Sequence, residues 1–172
     1  MFSLLATSTA VAQSKDEQIK AIRREFQAIN HDSSLQKLII DDPEQFLGQA
    51  TDGGGELTGY FKKDSIHKIT VMVGLSFGWV SGEYYFKSGK LIFVYETQKT
   101  FGLTDSAGIN YNKLDLAFEG RYYFVNEKLI SKIEKGSRMS NDDKNVSQRI
   151  LSDAKHYATL LKAKRKQSPP KR

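Results

Sequence analysis

Apolar and polar residues alternate in strand-like fashion from about residue 56 to residue 130, while both flanks carry the 3.6-residue spacing of amphipathic helices. On the N-terminal side, Ile19, Ile22, Phe26 and Ile29 form one apolar stripe, with Lys20, Arg23 and Arg24 opposite. Ser14-Lys15-Asp16-Glu17 precedes it as a capping box, in which the serine hydroxyl accepts from the third amide and Glu17 reaches back. This predicts a helix from Lys15 to Asn30. On the C-terminal side, Val146, Ile150, Ala154, Tyr157 and Leu161 form a second stripe. Ser140-Asn141-Asp142-Asp143 opens that segment and Ser168-Pro169-Pro170 ends it. Asp142 and Asp143 stand at the positive helix end and Lys162 to Lys166 at the negative one, as the macrodipole favours.

The middle of the chain reads as a run of β-hairpins. β-branched and aromatic runs from Glu56 to Val73, Trp79 to Phe86 and Leu91 to Gln98 are separated by turn-forming clusters. In the last run, Leu91, Phe93 and Tyr95 are expected on one face, with Ile92 and Val94 on the other. Leu38-Ile39-Ile40 suits a short strand. Asp42-Pro43 suits the cap and first position of one helical turn. The stretch 99–114, with Gly102, Asp105, Ser106, Gly108 and Asn110, reads as a long loop. The fold class is α+β, an antiparallel β-meander of about six strands packed by an N-terminal and a C-terminal helix. One face should be covered by helices, leaving the other curled on itself or open as an aromatic surface.

One hairpin pattern recurs. Gly82-Glu83-Tyr84-Tyr85-Phe86-Lys87-Ser88-Gly89-Lys90-Leu91-Ile92 aligns without a gap with Gly120-Arg121-Tyr122-Tyr123-Phe124-Val125-Asn126-Glu127-Lys128-Leu129-Ile130. A weaker copy is Thr58-Gly59-Tyr60-Phe61-Lys62-Lys63-Asp64-Ser65-Ile66, whose turn is expected at Asp64-Ser65. The Tyr-Tyr-Phe-x-x-Gly-Lys-Leu pattern over about residues 58–130 resembles the MORN-type hairpin repeat, especially the variant of exported bacterial proteins. The layout is also similar to small exported bacterial proteins of unknown function. The resemblance implies binding and scaffolding rather than an activity.

Composition and charge narrow the partners. The chain of 172 residues suits one domain, and with no cysteine it forms no disulfide and offers no thiolate. The formal net charge of +6 is concentrated in Lys162, Lys164, Arg165, Lys166, Lys171 and Arg172; without them 20 basic residues face 20 acidic ones. A neutral body argues against a broad nucleic-acid-binding face. The six cations, within residues 162–172, are expected to make a weak contact with an anionic surface, and 166–172 is expected to be a disordered basic tail. At the other end, Ala10-Val11-Ala12 before Gln13 matches a signal-peptidase junction. Residues 1–12 are therefore expected to be a signal peptide, 13–165 a single domain, and the protein exported, periplasmic or secreted.

Candidate chemistry is sparse. Gly74-Leu75-Ser76-Phe77-Gly78 matches the nucleophile-elbow pattern formally, but a strand rather than a helix follows, which favours a hairpin turn. Gly53-Gly54-Gly55 lacks the Lys-Ser/Thr of a phosphate loop and reads as a turn. His31, His67 and His156 have no second ligand at helical spacing, so no metal or other cofactor is expected. Asn145-Val146-Ser147 is a formal glycosylation acceptor. The reading is an exported, non-enzymatic binding or scaffold module for an unknown protein or envelope ligand. Its aromatic-rich sheet face would carry Tyr60, Trp79, Tyr84, Tyr85, Tyr95, Tyr122 and Tyr123. The alternative is a small hydrolase centred on Ser76 or the Asp52–Glu56 loop.

Overall fold

The computed structural model describes residues 14–104, 108–139 and 145–167. Helix α1, Lys15–His31, begins at Ser14, whose hydroxyl accepts from the Glu17 amide while Glu17 accepts from the Ser14 amide: the capping box forms. Strand β1, Gln36–Ile40, and the short helix α2, Pro43–Leu47, follow, with Asp42 as N-cap. Then come β2, Gly55–Lys62; β3, Ser65–Leu75; β4, Gly78–Lys87; β5, Lys90–Leu103; β6, Ile109–Val125; and β7, Lys128–Gly136. Helix α3, Val146–Gln167, closes the chain. Among the described residues the seven strands form one antiparallel sheet in sequence order, so every neighbour is joined by a local connection.

The helices take opposite faces of the sheet, and this corrects the expectation of one covered and one open face. On one side, α1 lays Ile22 and Ile29 against Tyr85, Phe93 and Tyr123, with Ile19 and Phe26 packed alongside. On the other, α2, through Phe46, and α3 cover Phe61, Tyr84, Phe86, Val94, Tyr122 and Phe124. The buried residues of α3 are the stripe Val146, Ile150, Ala154, Tyr157 and Leu161. Adjacent residues of one strand point to opposite faces, so each Tyr-Tyr pair feeds both cores at once. Tyr84 and Tyr122 lie under α3; Tyr85 and Tyr123 lie under α1.

The three hairpin copies share a geometry that alternation alone does not predict. The register shifts after Tyr60, Tyr85 and Tyr123, so that Phe61 faces Ile66, Phe86 faces Leu91 and Phe124 faces Leu129. The extra residues are His67, Ile92 and Ile130, one in each returning strand. A bulge leaves one residue unpaired and changes which side its neighbours take. Leu91 therefore joins the α3 side while Phe93 stays on the α1 side, contrary to the shared face expected of them. The turns of the second and third copies are equivalent too. Ser88 and Gly89 both have positive φ, at 50° and 76°, as do Asn126 and Glu127, at 48° and 62°. The first copy turns at Lys63-Asp64, one residue earlier than expected.

Among the described residues of the stretch 99–114, which leave out 105–107, strand stands where a long loop is expected. β5 and β6 continue as a ladder, Phe101 opposite Leu114 and Leu103 opposite Ile109, interrupted by register shifts that leave residues 111–113 without partners across it. Leu103, Ile109, Tyr111 and Leu116 are exposed along this arm.

At the C-terminus, α3 runs through Arg165 and Lys166 to Gln167. Arg165 is docked on the body rather than free: its guanidinium lies 4.5 Å from the Phe61 ring centroid and donates to the Lys63 carbonyl at 2.8 Å and Gln36 Oε1 at 2.9 Å. Residues 1–13, where the signal peptide is expected, lie outside the described residues. So do 140–144, the expected opening of the last helix, and 168–172 of the tail. The first described cap of α3 is Asn145, whose side chain accepts from the Gln148 amide at 3.3 Å.

Candidate functional site

A cleft of about 700 Å³ lies beneath α1. Its roof is the α1 face bearing Arg23, Phe26, Gln27 and Asn30, and its floor is β3 to β7. Aromatic rings make the walls. Phe26 packs on Tyr85 at 4.8 Å and on Phe93 at 5.4 Å between centroids, and Phe93 packs on Tyr123 at 4.9 Å. These are tilted and edge-on arrangements that aromatic quadrupoles favour. Ile133, 40% exposed, adds an apolar rim from β7.

The polar groups of this cleft are paired with one another. Lys68 Nζ contacts Glu83 Oε2 at 2.8 Å and donates to Asn30 Oδ1 at 3.1 Å. The Tyr85 hydroxyl donates to Asn30 at 3.2 Å and closely to Glu83. Burial first, and the hydrogen bond to Glu83 second, push the Tyr85 phenol well up. The Tyr95 hydroxyl donates to Glu119 Oε2 at 3.0 Å. Glu119 Oε1 is buried without a well-aligned hydrogen bond, and a close ion pair with Arg121 compensates it. Lys87–Glu25 at 2.7 Å and Lys62–Asp32 at 2.9 Å pin α1 over the hairpin ends. Arg23 differs: its guanidinium sits 5.8 Å from the Tyr123 ring centroid and pairs with no acid among the described residues.

The seven expected aromatic residues divide between the structure's layers. Tyr84, Tyr85, Tyr122 and Tyr123 are buried by the two helices and form no open surface. Tyr60, Trp79 and Tyr95 are half-buried. Tyr95 and Tyr123 line the α1 cleft; Tyr60 stands at its margin, 5.7 Å from Lys68 Nζ. Trp79 pairs with Gly74 and Lys99 at the far end of the sheet. The helical spacing places Arg23 with Lys20 and Arg24 opposite the apolar stripe. Nothing in its own pattern distinguishes it from Lys20 or Arg24; its place over Tyr123 follows from how α1 crosses the sheet.

The hydrolase arrangement is not assembled among the described residues. Ser76 is exposed in the two-residue turn between β3 and β4, with no hydrogen bond to a histidine or a carboxylate. His31 Nδ1 donates to the Gln27 carbonyl at 2.7 Å, and His156 Nε2 donates to the Phe46 carbonyl at 3.1 Å. Gly53 and Gly54 form a turn hydrogen-bonded to Gly74. Among the described residues no group of three or more His, Asp or Glu is placed to hold a metal ion.

No family model, no curated protein and no solved structure matches this chain. The likeness to MORN-type repeats therefore rests on the hairpin motif in the sequence alone.

Proposed function

We propose that the protein is a non-enzymatic binding module whose site is the aromatic cleft between α1 and the sheet. The observation that carries this reading is an apolar cleft of about 700 Å³ with one guanidinium, Arg23, left without an acid partner among the described residues at its edge. Ligand pockets commonly span about 300–1,000 Å³, with apolar walls and a few placed polar groups. Phe26, Phe93 and Tyr123 suit an apolar body, and Arg23 suits an acidic head. The ligand class is therefore a small amphipathic acid. Titration of the full chain with decanoate, followed by calorimetry, tests it, with decanol as the neutral control. Saturable decanoate binding should weaken about tenfold in Arg23→Glu, the scale of one charged hydrogen bond. It should be lost in Ile133→Asp, with the melting temperature of both variants unchanged. Absence of saturable binding, or binding indifferent to both substitutions, refutes the reading.

The proposal extends to the compartment. Ala10-Val11-Ala12 stands directly before the self-capped start of α1, which supports removal of residues 1–12 on export. N-terminal sequencing of protein recovered from the periplasm or medium should begin at Gln13. Recovery of a chain beginning at Met1 in the cytoplasm would oppose it.

A further inference from the structure

A second cleft opens on the opposite face, between β3–β5 and α3, with a volume of about 370 Å³. Two tyrosines end in it, and neither hydroxyl hydrogen-bonds any described residue. Tyr84 is 2% exposed; its ring lies back over Gly82, toward the cleft, and meets the Tyr157 ring edge-on at 5.7 Å between centroids. Neither hydroxyl is sealed off: among the described residues the buried side-chain atom left without a partner is Glu119 Oε1, so water or a ligand in the cleft can reach both phenols. Gln98 accepts from the Met139 amide through Oε1, which leaves its amide nitrogen accessible in the cleft with no partner among the described residues.

The charged groups of the cleft are balanced. Glu96 accepts from Arg138 at 2.5 Å and from both terminal nitrogens of Arg149 at 2.8 and 3.0 Å. Arg149 also reaches Asp153 Oδ2 at 3.2 Å. Among the described residues lining the cleft, two acids stand against two arginines, which favours no simple ion. What the cleft leaves open are groups that donate and accept at once, beside an apolar wall of Val71, Val73 and Val80.

We infer that this cleft binds a neutral hydroxylated ligand the size of a monosaccharide, held by the Tyr84 and Tyr157 hydroxyls, the Gln98 amide and Asp153. A sugar hydroxyl matches a phenol because each can donate and accept. Its C–H face suits the valine wall. The site lies across the sheet from the α1 cleft and is independent of it.

Nuclear magnetic resonance of the full chain, titrated with the methyl glycosides of glucose, galactose and mannose, tests the inference. The expected result is saturable, millimolar shifts of amides around Gly82, Gln98 and Asp153 with at least one glycoside. Tyr84→Phe and Tyr157→Phe should each weaken that binding about three- to tenfold, the scale of one hydrogen bond. Neither should lower the melting temperature, because no described partner is left behind. Failure of all three glycosides to produce saturable shifts overturns the inference. So does unchanged affinity in both phenylalanine variants, or tighter binding of butylammonium or acetate at the same amides.

Discussion

Gly53 and Gly74 touch backbone to backbone. The Gly53 amide donates to the Gly74 carbonyl at 3.1 Å, and the Gly74 amide donates to the Gly54 carbonyl at 2.9 Å. A Cβ on Gly74 would stand 2.6 Å from the Gly53 carbonyl oxygen, and one on Gly53 2.7 Å from the Gly74 Cα. The glycine run before β2 and the Gly-x-Ser-x-Gly stretch are thus two halves of one contact. The second serves the close approach of the first and lifts no nucleophile. Gly74→Ala is expected to cost about 1–3 kcal/mol, the usual penalty for forcing atoms into a filled space. Urea denaturation measures it. An unchanged midpoint would show that the two segments part freely.

The hairpin turns supply a paired prediction. Gly89 has φ of 76° and no heavy atom within 4 Å of where a Cβ would stand, so backbone strain alone opposes a side chain there. Gly89→Val should destabilise by about 1–2 kcal/mol. Glu127 holds the same turn position with φ of 62° and carries that strain already. Asn-Gly is the favoured pair for such a turn, so Glu127→Gly should stabilise by about 0.5–1 kcal/mol. Thermal melts of the two variants should move in opposite directions. Equal shifts of the same sign would mean the two turns are not equivalent.

What the chain discloses about itself depends on range. The helices were legible because stripes and caps are local: Ser14 and Glu17 lie three residues apart, and the α3 stripe is the set that packs. The Ser88-Gly89 turn was legible for the same reason. The distribution of aromatics between two faces was not. It depends on bulges at His67, Ile92 and Ile130, which arise only when strands pair, and on where each helix crosses the sheet. The β5–β6 arm reads as a loop in sequence because Gly102 and Asn110 are residues that commonly end strands. In the fold Gly102 lies within the ladder, and a Cβ there would meet the Lys113 side chain at 2.9 Å. The α1 cleft was half legible: its tyrosines stood out, while Arg23 resembled any exposed cation.

Glu96 ties β5 to both Arg138 and Arg149, the second 53 residues away in sequence. Its side chain is 9% exposed and that of Arg138 14%. Removing Glu96 takes the shared, mostly buried acceptor from both arginines at once. Glu96→Ala should therefore cost about 3–5 kcal/mol, far more than a surface pair. Lys113→Ala, which deletes the exposed Lys113–Asp115 pair at 3.2 Å, should change stability by less than about 0.5 kcal/mol. Denaturation of the two variants side by side checks the contrast. Equal effects would mean that the Glu96 cluster is as solvated as the surface.

The cores make the fold sensitive to alkali. Burial is the foremost reason that the phenols of Tyr84, Tyr85, Tyr122 and Tyr157 are pushed up, and Tyr157 reaches about 12. Carboxylates reinforce the shift: Glu96 at Tyr84, Glu83 at Tyr85, Glu134 at Tyr122 and Asp153 at Tyr157. A phenol whose folded pKa is raised binds its proton more tightly in the folded state. Its contribution is fully present below the unfolded value near 10 and is lost as pH rises from there through the folded value. All four act with the same sign, so stability should fall steeply between pH 10 and about 12. Tyrosinate absorbance should rise for these residues only together with loss of the near-ultraviolet circular dichroism of the fold. Ionisation of all eight tyrosines near their ordinary value, with the fold intact, would show that the two faces of the sheet are open to water.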